Sequence, residues 1–341
     1  MLVLQNRSRR ILLAAVVLAA VAGLTGWQLL VRGAAVHASP RLGVAIALPL
    51  QIAGAAVLVG QNQELFARNG VDLTTRRFLL GKLALQALLA GKVDLAIMAD
   101  TPFVLAVLQN EKIAIVSSVF ESRTSMALVA RRDRGIHKVR DLAGKTVGTI
   151  PRTNAEFFLD TLLLSEGIPA ASVHVTDLKP EELVADLERG TVDAATIWNP
   201  DLARLEREWG ARAVVLRNEA VFVHRFVLVG TKAWLDQHPR EIARVLAALR
   251  DSNQFIQDQP EPTRRIIGPS LGSQSGDVAK SFNPGEFTLG LSQSLLMALD
   301  DQARWAMRHQ LSPPRTTPDF LDYVHQGPLE SVLPNAVKLI R

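Results

Sequence analysis

Hydrophobic and polar positions along residues 41–108 change between a period of two and a period near 3.6. Short β-branched and apolar runs predict strands, and apolar positions three and four apart predict helices. The predicted strands are residues 41–47, 71–79 and 93–99, and the predicted helices are residues 55–68, 83–91 and 103–108. This order of elements is a β-α-β-α-β unit followed by a further helix.

The same order of elements occurs a second time. The predicted strands are residues 145–150, 173–178 and 191–197, and the predicted helices are residues 155–166 and 181–190. The ends of the two units align residue by residue: Leu88, Gly91, Val93, Asp94 and Ala96 match Leu187, Gly190, Val192, Asp193 and Ala195. Two such units in tandem predict two α/β lobes with parallel, right-handed crossovers. Asp94 and Asp193 are interpreted as serving the turns before their strands.

Two strand-like runs are placed to connect the lobes. Residues 126–130 are expected to cross from the first lobe to the second, and residues 221–230 to return. We therefore expect one lobe at residues 41–127 and 222–341 and the other at residues 128–221. Two crossings form a hinge, which allows a cleft between lobes to close on a ligand.

The remainder of the chain is predominantly helical. An amphipathic helix is predicted at residues 232–259, a loop at residues 268–285, a helix at residues 287–309 and a short helix near residues 320–324. We expect this block to pack on the first lobe.

Residues 1–38 have the pattern of a targeting segment. Arg7, Arg9 and Arg10 precede an uncharged, mostly apolar run at residues 11–31, and Ala38 ends a small-residue cleavage pattern. The run is long enough to span a bilayer. It is interpreted as a signal peptide or an uncleaved signal anchor, and both place the rest of the chain outside the cytoplasm.

Composition excludes several classes of function. The formal charge is +5, but residues 1–38 contain four arginines and no acid, so the remaining chain has 34 basic and 33 acidic residues. Such a balance does not favour nucleic-acid binding. The absence of cysteine excludes disulfides and thiolate chemistry. A G-x-S-x-G match at residues 268–272 lacks the strand and helix that a nucleophile elbow requires, so we expect that the protein is not an enzyme. We also expect it to bind no metal or other cofactor.

Ligands of open α/β sheets bind beyond the carboxyl ends of the strands. The candidate ligand-binding residues at these ends and on the return crossing are Leu50, Gln51, Gly81, Lys82, Asp100, Thr101, Thr149, Arg152, Thr153, Asn154, Trp198, Asn199 and Arg225. For an anion, Arg152 supplies a guanidinium fork beside a helix N-terminus. Thr153 and Glu156 also fit a capping box, which would satisfy the same backbone donors internally.

Four segments, residues 63–73, 87–99, 141–148 and 187–200, together resemble the periplasmic substrate-binding proteins of ABC transporters for sulfonates, taurine and nitrate, the NMT1/THI5-like group. The resemblance implies an α/β, two-lobed periplasmic-binding-protein-like (type II) fold with two hinge crossings, preceded by the N-terminal hydrophobic segment.

The resemblance implies a role as an extracytoplasmic solute-binding protein. It would bind a small, anionic, sulfonate-, taurine- or nitrate-like molecule between its lobes and deliver it to the transmembrane permease subunit of an ABC importer. The expected partners are the small ligand, the permease and, through residues 11–31, the membrane. Nucleic acid is not an expected partner, and the protein is expected to be a monomer. The alternatives are a membrane-anchored sensory or accessory module that uses the same cleft, and a protein that binds a thiamine-pyrimidine-like compound.

Overall fold

The computed structural model describes residues 42–271, 281–313 and 316–340. The targeting segment predicted at residues 1–38 lies outside these ranges. Among the described helices, none combines the length and the apolar character that crossing a bilayer requires.

The first of two five-stranded sheets has the order β2-β1-β3-β10-β4. Its strands are β1 (Leu42–Pro49), β2 (Val71–Phe78), β3 (Leu95–Ala99), β4 (Ile113–Ser122) and β10 (His224–Thr231). The strands β1, β2 and β3 are parallel, and β10 lies antiparallel between β3 and β4. A strand from late in the chain therefore completes the sheet formed by the first predicted unit.

The second sheet has the order β7-β6-β8-β5-β9. Its strands are β5 (Met126–Arg131), β6 (Thr146–Thr149), β7 (His174–Asp177), β8 (Ala194–Trp198) and β9 (Ala213–Leu216). Here β5 lies antiparallel between β8 and β9, in the position that β10 has in the first sheet. Each sheet therefore has one strand that is reached through a crossing.

Helices cover both sheets. They are α1 (Ala55–Asn62), α2 (Leu65–Arg68), α3 (Gly81–Leu89), α4 (Asp100–Leu108), α5 (Asn154–Ser165), α6 (Pro180–Arg189), α7 (Asp201–Trp209), α8 (Lys232–Gln237), α9 (Pro239–Asp258), α10 (Pro260–Ile267), α11 (Gln293–Arg308) and α12 (Gly327–Val332). The helix α9 packs on α1, and α11 packs on α4. A short parallel pair, β11 (Leu291–Ser292) and β12 (Val337–Lys338), completes the structure.

The aligned aspartates of the two units have the same structural role. Asp94 Oδ2 accepts a hydrogen bond of 2.7 Å from Ala45 N in β1, and Asp193 Oδ2 accepts one of 2.9 Å from Thr146 N in β6. Both carboxylates thus satisfy the backbone of the neighbouring strand. Both aspartates lie directly before their own strands, β3 and β8, as interpreted, but their carboxylates bind the backbone of the adjacent strand.

Several predicted elements differ from the structure. Residues 55–68 form two helices because Glu64 takes a left-handed backbone conformation, with φ 56°. Residues 232–259 also form two helices, since Pro239 disfavours helical geometry at His238, the residue before it. The pattern missed β4, β9, α7 and α10 altogether. In β4 nearly every residue is buried, so no alternation of polar and apolar positions marks it as a strand.

The buried apolar residues follow the period of the strands. In β5, Met126, Leu128 and Ala130 face one core of the second sheet, and Ala127 and Val129 face the other.

The two sheets are joined by the short segments between β4 and β5 and between β9 and β10.

Candidate functional site

A small cavity lies between the two sheets, at the carboxyl ends of their parallel strands. Gln51, Gly81 and Lys82 line it from the first sheet, and Thr153, Asn154 and Trp198 line it from the second. The structure therefore brings together six of the candidate ligand residues. Leu80, Ile150 and Phe226 provide apolar walls. The cavity volume is about 20 Å³, which leaves room for one or two water molecules.

Three helices begin at this cavity. Leu80, Gly81 and Lys82 start α3, Ala99 and Pro102 start α4, and Thr153 and Asn154 start α5. No side chain caps the N-termini of α3 and α4. Each helix N-terminus carries unpaired N–H donors and a partial positive charge. Their convergence from both sheets gives the cavity a positive potential.

Lys82 is the one charged side chain among the described residues that line the cavity. It lies in the first turn of α3 and is exposed. With no carboxylate among these residues, the ammonium group is not neutralised inside the cavity. The arrangement therefore favours an anionic ligand over a neutral or cationic one.

The loop before α5 uses part of its hydrogen-bonding capacity internally. The Thr153 hydroxyl donates to Ile150 O (2.8 Å) and accepts from Ala155 N (3.2 Å). Glu156 Oε2 accepts from the backbone N–H of Arg152 (2.6 Å), one residue before the N-cap. The Thr153 side chain therefore caps α5 locally, but the reciprocal contact of a capping box is shifted by one residue.

Arg152 does not line the cavity. It is exposed, with φ 59°, and its Nη2 donates to Leu311 O (3.2 Å), beyond the end of α11. Its guanidinium thus links the loop of the second sheet to the C-terminal block. Leu50 is also not among the lining residues, and it is 40% exposed.

Two other candidate residues, Thr149 and Asn199, contribute to the interior or the edge of the second sheet. Thr149 is fully buried, and its Oγ1 lies 2.9 Å from Thr196 Oγ1. Asn199 is buried beside the cavity wall and donates its backbone N–H to Ser125 O at 2.9 Å. Trp198, at the end of β8, lines the cavity with an aromatic ring, as Phe226 does from the first sheet.

Asp100, Thr101 and Arg225 form a separate buried polar network. Arg225 Nε donates to Glu121 Oε1 (2.9 Å), and its Nη1 lies 3.6 Å from Asp100 Oδ2. Thr101 Oγ1 donates to Gln302 Oε1 (2.6 Å). Burial raises the pKa of Asp100, and the nearby Arg225 guanidinium opposes this shift. Ligand contact by these or any other candidate residues stays a prediction.

Known proteins share both the sequence pattern and this fold. The model of the family described as NMT1/THI5 like matches residues 51–263. The chain belongs to the NMT1/THI5-like family. A similar protein is the taurine-binding periplasmic protein of Escherichia coli strain K12, 24% identical over 307 residues, which are 82% of this chain and 91% of that protein.

Solved structures show the same architecture. The periplasmic aliphatic sulphonate binding protein SsuA from Escherichia coli superimposes with a TM-score of 0.75 at 17% identity, over 83% of this chain and 97% of that one. The periplasmic nitrate-binding protein NrtA from Synechocystis PCC 6803 gives 0.68 at 13% identity, over 87% and 89%. This member of the NMT1/THI5-like family therefore has the two-lobed α/β periplasmic-binding-protein-like fold, as predicted.

The crossings between the lobes of this family member are held by polar and aromatic contacts. Arg123, on the first crossing, donates through Nη1 to Glu219 O on the second. His224 Nδ1 lies 2.9 Å from Ser125 Oγ, and its ring packs against Phe222 and Phe226. His224 is fully buried, and burial lowers its pKa from 6.5 to about 3. These contacts give His224 a structural role in the second crossing.

We expect the stability of the protein to fall as the pH falls below 6.5, in part because of His224. The unfolded chain binds a proton at His224 below its ordinary pKa of 6.5, but the folded chain stays neutral there down to about 3. Within this window His224 contributes a loss of about 1.4 kcal/mol per pH unit. Urea unfolding at pH 7 and pH 5 should show a smaller difference for His224→Gln than for the wild type. The exposed control His174→Gln should retain the wild-type difference.

Sequence reasoning missed two parts of the interlobe region. Ile150 and Phe226 line the cavity, but they resemble ordinary core residues in the sequence. Glu286 and Gln302 lie beside the Asp100 network although they are more than 180 residues away in the chain. No local pattern marks such contacts, since they depend on how the C-terminal block packs on α4.

Proposed function

We propose that this protein is an extracytoplasmic solute-binding protein of an ABC importer and binds a small sulfonate-, taurine- or nitrate-like anion between its lobes. The observation that carries the proposal is the interlobe cavity with one ammonium group, three helix N-termini and no carboxylate among its described lining residues. The similarity to taurine-, sulphonate- and nitrate-binding proteins supports the same ligand class.

Ligand binding would require the lobes to separate and close again. A sulfonate with its carbon substituent is larger than a cavity of about 20 Å³, so it cannot enter the arrangement described above without movement. The proposed lobes are residues 41–127 with 222–341, and residues 128–221, which rotate about the two crossings of a type II fold. A ligand that contacts Lys82 on one lobe and Asn154 on the other stabilises the closed state.

The cavity walls suggest how an organic anion would lie. Lys82, Gln51 and Asn154 provide donors for the oxygens of the anionic group. Trp198 and Leu80 offer apolar surface for a short carbon chain. This combination suits a small alkanesulfonate, and nitrate would use the polar groups alone.

Location and partners follow from the same proposal. Residues 1–38 would direct export to the periplasm, either as a cleaved signal peptide or as a tether to the inner membrane through residues 11–31. The closed monomer would be recognised by the permease subunit of the importer. The protein would act by binding, without catalysis.

We expect small sulfonates to stabilise the folded protein against heat. A ligand at a hundred times its Kd adds about 2.7 kcal/mol of stability, or roughly 5 °C in Tm for a chain of this size. Differential scanning fluorimetry with methanesulfonate, ethanesulfonate, taurine and nitrate measures the shift. Dimethyl sulfone, an uncharged analogue of methanesulfonate, is the control and should give no shift. The proposal fails if no anion in this panel shifts Tm, or if dimethyl sulfone shifts it equally.

A further inference from the structure

A second and larger cavity lies beside the crossings, on the side of the sheets covered by α11. Its volume is about 670 Å³, which is within the range of small-molecule sites. It has no lining residue in common with the cavity that contains Lys82. Phe157 lines it from the second lobe, Phe222 from a crossing, and Glu286 and Met297 from the C-terminal block.

Glu286 is the key polar group of this cavity. It is 8% exposed. Its Oε1 accepts hydrogen bonds from Ser122 Oγ (2.6 Å) and Thr124 Oγ1 (3.5 Å). Its Oε2 is buried and makes no hydrogen bond of normal geometry to the described residues. Burial raises the pKa of Glu286, and hydrogen bonds from the side chains of Ser122, Thr124 and Asn283 oppose this shift. Since a buried carboxylate oxygen without a donor is costly, a donor is needed at this point of the cavity wall.

The charged side chains that line this cavity include more carboxyl groups than guanidinium groups. Its described lining residues include four carboxylates, those of Asp100, Glu121, Glu286 and Asp301, and two guanidinium groups, those of Arg123 and Arg225. Arg225 is shared by Asp100 and Glu121. Asp301 is exposed at the rim. Burial raises the pKa of Asp100 and of Glu286. When all four carboxyl groups are ionised, an excess of negative charge faces the cavity, in contrast to the cavity at Lys82.

The remaining wall is apolar and partly aromatic. Phe157 and Phe222 have their ring centroids 6.3 Å apart. Val221 and Met297 are 44% and 62% exposed and add apolar surface at this cavity. A ring face attracts a cation, and exposed apolar surface beside a cavity favours an organic group over a hydrated metal ion.

We propose that this cavity, named the hinge cavity, is a second ligand site that binds an organic ammonium ion, with its charged group at Glu286 and its apolar part against Phe157, Phe222 and Met297. The ammonium group lies against the Glu286 side chain and offsets the negative charge of the wall. An uncharged or anionic molecule of the same shape lacks this interaction. The site does not depend on the identity of the anion bound at Lys82.

Occupation of the hinge cavity should affect the movement of the lobes. Its wall includes Thr124 on one crossing, Val221 on the other and Phe157 on the second lobe. A molecule that fills it contacts all the parts that rotate relative to one another. The ammonium ligand would thus act as an effector of anion binding through coupling between two distinct sites.

Calorimetric titration of the full protein with 2-phenylethylammonium tests the site. Phenylacetate and 2-phenylethanol are matched probes with a negative charge and with no charge. We expect saturable binding of the ammonium probe and at least tenfold weaker binding of the other two. Equal binding of the three probes, or no binding of the ammonium probe to the wild type, overturns the proposal.

Variants locate the binding. Glu286→Gln keeps the shape of the side chain and should weaken binding of the ammonium probe at least tenfold, whereas the exposed control Glu330→Gln should bind like the wild type. If Glu286→Gln does not fold, Met297→Lys, at a position 62% exposed, should give the same loss by placing a cation at the site. Wild-type affinity in either folded variant refutes the site.

The two sites are distinguished by cross-titration. Lys82→Met should lose binding of ethanesulfonate but retain binding of 2-phenylethylammonium, and Glu286→Gln should show the opposite result. Increasing ethanesulfonate should change the Kd of the ammonium probe up to a constant value, because coupling between two sites saturates. Competition of the two ligands for one site would contradict a separate hinge cavity, while failure of sulfonate binding alone would contradict only the proposed function.

Discussion

Lys82→Met is expected to weaken the binding of ethanesulfonate by about 10- to 100-fold. The substitution keeps the length of the side chain and removes the one cation among the described residues of the interlobe cavity. A hydrogen bond to a charged group contributes about 1.5–3 kcal/mol, and about 1.4 kcal/mol corresponds to a factor of ten in Kd. The N-termini of α3 and α5 remain, so residual binding is expected.

Isothermal titration calorimetry of wild type and variant measures this change. Lys92→Met is the matched control, because Lys92 is an exposed lysine of the same lobe that does not line the cavity. Its affinity should equal that of the wild type, and both variants should have the wild-type unfolding midpoint in urea. Unchanged affinity in Lys82→Met would mean that the anion does not contact this residue.

Arg225→Met is expected to destabilise the folded protein by about 3–5 kcal/mol, the usual cost of removing one partner from a buried ion pair. The side chains of Arg225 and Asp100 are 4% and 5% exposed. Without the guanidinium, the Asp100 carboxylate is buried with no compensating charge, whereas Glu121, which is 31% exposed, remains hydrated. Arg250→Met is the control, since it breaks an exposed pair with Asp251 and should cost at most about 1 kcal/mol.

Two further measurements separate the charge effect from lost packing. Asp100→Asn combined with Arg225→Met should be more stable than the sum of the single effects implies, by about 0.5–3 kcal/mol. The loss in Arg225→Met should also be larger at pH 8 than at pH 4. Burial raises the pKa of Asp100, so the folded state holds more protons than the unfolded state and loses stability as pH rises. Strict additivity of the two substitutions would show that they are not coupled.

The site shows where sequence reasoning was limited. Pairing the strand ends of two similar units placed Gln51, Lys82, Asn154 and Trp198 near one another, and the structure brings them to one cavity. The same reasoning could not separate Asp100 from them. The sequence neighbours Ala99 and Asp100 line different cavities, because the chain turns from β3 into α4 at this point.

Charge alone was also an incomplete guide to the anion site. Arg152 has the chemistry that an anion site needs, but its guanidinium donates to Leu311 O, far away in the chain. Lys82 has no guanidinium fork, yet it lines the cavity. Only the three-dimensional positions of α3 and α11 distinguish these two cations.

The sequence by itself determined the local elements, the duplication and the family. The local elements depend on interactions between near neighbours in the chain, such as those at Gly91 and Gly190, where the aligned helices of the two units end. The tertiary structure decided which strands complete each sheet and which charges share a cavity. The insertion of β10 between β3 and β4 and the packing of α11 on α4 bring together residues more than 100 positions apart. Such contacts arise from burial of apolar surface by the whole chain, so no short pattern contains them.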